Sequence, residues 1–200
     1  KCFSNYRTLN LGISGDKIEN VLWRIQNIIV LQSTSQVYIL CGANNIDVDT
    51  SGEISQGVIL CAKLIKSRMK DIVVTVIALP PRDKFNSPRR RKTFITNDMI
   101  KEECFRNGLN FLAIDKDEWM NDEDLDMSLF YSDYLHLSKK GNMKLSKHIV
   151  QSVQFNEKAS FTNPPSKIFL RETCQLNEQE FPPLPKAKTN SIPIKPSVSS

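Results

Sequence analysis

Long apolar runs are missing from this 200-residue chain. No stretch approaches the roughly 20 consecutive apolar residues that a membrane span requires, and the longest, Ile72 to Pro81, has the length of a buried strand. The first residues also lack the basic-then-apolar layout of a signal peptide. Cysteine pairing motifs are absent too. The five cysteines, Cys2, Cys41, Cys61, Cys104 and Cys174, are scattered and contain no Cys-x-x-Cys, so free thiols in a reducing, cytoplasmic compartment are expected and a structural metal site is not. Only two histidines are present, His136 and His148.

The net charge of +5 is modest for this length. Its main concentration is Arg89-Arg90-Arg91-Lys92, preceded by Arg82 and Lys84 in a segment that also holds Pro80, Pro81 and Pro88. Such a run attracts phosphate backbones, but no aromatic residues interleave with it as a base-stacking platform requires. It is read as a solvated loop or helix start, with a nucleic-acid contact through Arg89, Arg90, Arg91 and Lys92 as the lesser alternative.

Strand and helix patterns alternate. Tyr6 to Leu11 and Val37 to Cys41 are strand-like, Ile72 to Leu79 is a β-branched run of the kind a parallel sheet buries on both faces, and Leu109 to Ile114 is a shorter fourth strand. Helical stretches cover Lys17 to about Asn27, Glu53 to about Arg68, Asn97 to about Arg106 and Ser138 to about Val153. This order predicts a three-layer αβα domain on a flavodoxin-like parallel sheet. Trp23 is expected to pack against that sheet. The acidic stretch from Asp115 to Asp126 around Trp119 lacks ordered ligand spacing and a turn glycine, so it is expected to be a solvated loop over the approach to the site. Beyond Gln154 the composition changes, because seven of the ten prolines fall at Pro164 or later. Residues 1–154 are therefore assigned to the domain and 155–200 to a disordered Pro-rich tail, in which Pro182 to Pro185 is a P-x-x-P.

Chemistry is concentrated in three segments. Asp133-Tyr134-Leu135-His136 sets a carboxylate three residues before an imidazole, a spacing that lets the aspartate hold Nδ1 while Nε2 acts as a general base. Leu9 to Asp16 ends in a turn with Gly12 and Gly15, and Asp16 is expected to cap the helix opening at Lys17, leaving amide N–H groups aimed outward. Val37 to Asn45 is a strand followed by Gly42-Ala43-Asn44-Asn45, so the Asn44 side chain can add an N–H donor at the same sheet rim. His148 has no carboxylate near it in sequence and is read as a surface or helix-end residue.

On these residues the chain resembles the SGNH (GDSL-like) hydrolases, in particular the platelet-activating-factor acetylhydrolase catalytic-subunit-like esterases. Gly12-Ile13-Ser14-Gly15-Asp16 with Glu19-Asn20-Val21-Leu22-Trp23-Arg24 is similar to the family's second block, Gly42-Ala43-Asn44-Asn45 to its third and Asp133-Tyr134-Leu135-His136-Leu137 to its last. The resemblance spans about residues 8–150 and implies Asp133 and His136 as the acid–base pair and Gly15 and Asn44 as oxyanion donors. It implies hydrolysis of a small, short-acyl carboxylic ester with no metal or organic cofactor. Ala43 stands where the family often has Thr.

The family's first block, the Gly-Asp-Ser strand end that supplies the nucleophile, is absent. Ser4 lacks a preceding Gly-Asp, and Ser14 is followed by Gly15-Asp16, which fails the Gly-x-Ser-x-Gly elbow, so neither is assigned as nucleophile. The chain opens with Lys1 rather than Met, and a truncated fragment is the expectation. The missing strand would lie between those ending at Leu11 and Cys41, and its loss is expected to leave two apolar edges unpaired. A looser resemblance to esterase-like segments of animal retroelements offers the alternative of a non-catalytic binding or assembly module.

Overall fold

Five β-branched or apolar side chains in sequence, Val-Val-Thr-Val-Ile, make β2 (Val73–Ile77) the centre of the sheet. The computed structural model describes residues 2–27, 34–69 and 71–162. β2 pairs in parallel with β1 (Gln36–Ile39), Gln36 facing Val73, and with β3 (Asn110–Leu112), Thr75 facing Asn110. Alternation along β2 sends Val74 and Val76 to one face and Ile77 to the other. The first face is covered by α1 (Ile18–Asn27), α2 (Ser51–Arg68) and α3 (Pro88–Arg106), through Leu22, Ile54, Val58, Cys61 and Ile100. The second face is covered by Trp119, Leu129, Phe130 and Leu145, the last from α5 (Lys139–Thr162). The result is a three-layer α/β arrangement with a parallel sheet.

The helix starts follow from their caps. Thr50 and Glu53 form a reciprocal capping box, so α2 opens at Ser51, slightly before the expected Glu53. Ser87 accepts the Arg89 N–H at 3.2 Å and Pro88 occupies the first helical position, so α3 begins well before the expected Asn97. The basic run is thus a helix start, hidden from a periodicity reading because its side chains are polar. α5 continues to Thr162, past the expected end at Val153. Most of the proposed tail, with its P-x-x-P, lies outside the described residues.

Three other expectations are corrected. Residues 6–11 form no strand: they pair with none among the described residues, and Leu9 is 74% and Leu11 46% exposed, with no described sheet face beneath them. Among the described residues β1 is therefore the edge of the sheet. Trp23 is 63% exposed, since the stripe of α1 facing the core is set by Ile18, Leu22 and Ile25 and turns Trp23 away. The acidic stretch is structured around a fully buried Trp119: α4 (Lys116–Trp119) leads into a hairpin of β4 (Met120–Asn121) and β5 (Asp124–Leu125). Its carboxylates other than the half-buried Asp126 are exposed, while its apolar members, Trp119 and Leu125, close the second core.

Candidate active site

The segment before α5 folds back on itself. Phe130 and Leu137 form an antiparallel bridge, the Tyr131 N–H donates to the His136 carbonyl at 2.8 Å, and Tyr134 takes a left-handed backbone, φ 58°, at the tip. This closure brings Asp133 Oδ2 to 2.7 Å from His136 Nδ1, while Asp133 Oδ1 accepts the N–H groups of Leu135 and His136, each at 3.0 Å. The imidazole contact, followed by these two amides, holds the Asp133 carboxyl down at about 2. An ionised carboxylate only accepts, so the proton between the two residues belongs to Nδ1 and the basic lone pair of the neutral ring is on Nε2. Both side chains are exposed.

A second group forms at the opposite chain segments. Asp16 N–H donates to the Ile13 carbonyl, closing a turn in which Gly15 has φ +81° and open space where a side chain would stand. Asn44 lies in a single 3₁₀ turn, Ala43–Asn45, entered through Gly42 at φ +106°. Its Nδ2 donates to the Asp16 carbonyl at 2.8 Å, which seats Asn44 against the Gly15 turn and leaves one amide hydrogen uncommitted by that bond. The buried neighbour, Asn45, accepts the Ile18 N–H at 3.0 Å and donates to Glu19 and Asp49 at 3.2 and 2.6 Å. Asn45, rather than Asp16, therefore caps the start of α1. Asp16 instead pairs with Arg24 of that helix.

The loop after β2 joins the two groups. Arg82, almost fully buried, donates from its guanidinium to the Ala43 carbonyl at 2.8 Å, and the Asp83 N–H donates to the Tyr134 carbonyl at 2.8 Å. Neither contact carried a sequence motif. The expected set is thus brought together as two pairs: Asn44 with the turn of Gly15, and Asp133 with His136.

Of the two serines weighed as nucleophile, Ser14 is exposed in the Gly15 turn, and Ser4 lines an open cleft with Cys2, Lys139, Asn142 and Ser146. His148 lies 3.0 Å from Glu118 Oε2 and edge-on to Trp119, so it has a carboxylate that sequence distance concealed. The basic run is largely engaged within the fold: Arg89 pairs with Asp47 at 2.5 Å, Lys92 donates to the Ile46 carbonyl at 2.6 Å and Arg90 is buried against the carbonyls of Arg82 and Glu123. The described cysteines are all free thiols; Cys174 lies outside the described residues.

The profile of the GDSL-like Lipase/Acylhydrolase family matches residues 3–144. The chain belongs to this family. Among curated GDSL-like relatives it is 28% identical over 140 residues to platelet-activating factor acetylhydrolase IB subunit alpha1 of Bos taurus, covering 70% of this chain and 60% of that one. It is 29% identical over 146 residues to the alpha2 subunit of Homo sapiens, covering 72% and 63%. The chain therefore spans about three fifths of the length of these relatives. A GDSL-like lipase from Bacteroides thetaiotaomicron superposes with a TM-score of 0.63 at 19% identity, over 72% of this chain and 74% of that one, which is agreement of fold.

Proposed function

We propose that this chain carries the oxyanion-binding and acid–base arms of a serine-type carboxylic-ester hydrolase acting on short acyl groups, with no nucleophile among its own serines. In the full reaction a serine attacks the ester carbonyl while His136 Nε2 takes its proton, and Asp133 steadies the imidazolium through Nδ1. The Gly15 amide and the Asn44 side chain donate to the developing oxyanion. No step draws on a metal or an organic cofactor. The single observation that carries this reading is the 2.7 Å contact between Asp133 and His136, with both free amides of the turn on the other carboxylate oxygen. The acetyl specificity in the relatives' names supports a short acyl group.

The second reading is a non-catalytic SGNH-like module, a binding or assembly element of a retroelement-derived polyprotein. The engagement of Arg89, Arg90 and Lys92 within the fold weakens a nucleic-acid role for it. An assay of short-chain aryl esters separates the two. The first reading predicts a chain inactive or nearly so as an esterase, whose weak background rate falls in His136→Ala and Asn44→Ala; the second predicts a rate indifferent to both.

A further inference from the structure

Arg82 is buried to 7% exposure; its Nε has no hydrogen-bond partner and lies 4.0 Å from the Asp83 carboxylate, a loose ion pair within its own loop. An apolar side chain of similar volume would pack there without the cost of desolvating a guanidinium, so stability alone is a poor account of it. What the guanidinium does is reach the Ala43 carbonyl, one residue before Asn44. The loop that carries it is held from behind by α3 at two places. Asn97 clamps both backbone groups of Leu79, at 2.8 and 2.9 Å, and Arg90 donates to the carbonyls of Arg82 and Asp83. Asp83, at φ 61°, in turn presents its N–H to the Tyr134 carbonyl beside the Asp133–His136 turn.

We infer that Arg82 is a positioning residue that fixes the Asn44 turn relative to the Asp133–His136 turn, using the α3-anchored loop as its base. The inference rests on the proposed hydrolytic site. It is specific about direction: without Arg82 the loop stays gripped by Asn97 and Arg90 and still holds Tyr134, so only the Asn44 side is released.

Amide hydrogen exchange on the folded 200-residue chain and its Arg82→Met variant tests this. The expected result is exchange about tenfold or more faster at the Asn45 and Val48 amides, with the Tyr131 and Val76 amides unchanged. Arg82→Lys, which keeps an N–H donor, should recover part of the protection. Where ester turnover is measurable, kcat should fall in Arg82→Met with KM kept. Unchanged exchange at Asn45, or a uniform rise that includes Val76, would overturn the inference. If Arg82→Met does not fold, nitrogen NMR of the unsubstituted chain decides: a slowly rotating Arg82 guanidinium supports the contact and a freely rotating one overturns it. Exchange is independent of hydrolysis, so a background ester rate indifferent to His136→Ala and Asn44→Ala would refute the proposed function while Arg82 stood or fell by this test.

Discussion

Asn45 Oδ1 accepts the backbone N–H of Ile18 at 3.0 Å, so the first amide of one helix is capped by a side chain 27 residues further along. The same residue donates to Glu19 and Asp49, and it is 1% exposed. It fixes the turn of Gly15 beside that of Asn44 before either is asked to do chemistry.

Asn45→Ala leaves the Ile18 N–H buried without an acceptor, at a cost of about 2 kcal/mol. Urea unfolding should show this loss. Asn44→Ala, at an exposed position, should lose much less stability in the same experiment.

Gly141 and Gly108 should respond differently to alanine. A Cβ on Gly141 would lie 2.1 Å from the Leu129 carbonyl oxygen, so α5 must move off the second core, at a cost of about 3 kcal/mol. Gly108 has φ +59° but open space around it, and its alanine variant should lose about 1 kcal/mol from backbone conformation alone. Thermal melts of the two variants give the comparison.

Asp133 should titrate with a midpoint near 2, well below the ordinary aspartate value of about 3.9. Because the folded value is depressed, its contribution to stability is present above the unfolded value and is lost as pH falls through the folded one. Carbon NMR of the carboxyl checks this. In His136→Ala the largest cause is removed, and the midpoint should rise toward the ordinary value.

Legibility in the sequence followed the reach of each interaction. Asp133 and His136 lie three residues apart, and β2 announces itself by an unbroken β-branched run, so local pattern sufficed for both. Asn45, Arg82 and Arg90 bond to partners 27, 39 and 33 residues away, and nothing in their neighbourhoods marks those contacts. The basic run was legible as a helix start, but the inward turn of Arg90 was not, for the same reason. Its charge pattern resembles a solvated face, whereas Arg90 turns inward to satisfy carbonyls of the loop after β2. Residues 6–11 read as a strand by composition, but strand formation depends on a neighbour that composition does not supply.

Hydrolysis of a short-chain aryl ester, measured with and without a serine-directed phosphonate, tests the central claim most directly. The account predicts a weak, burst-free rate that the phosphonate neither blocks nor labels at Ser4 or Ser14. That rate should fall roughly 10²-fold in Asn44→Ala and by at least as much in His136→Ala. Vigorous turnover abolished by phosphonate labelling of Ser4 or Ser14, or a background rate unmoved by both substitutions, would contradict it.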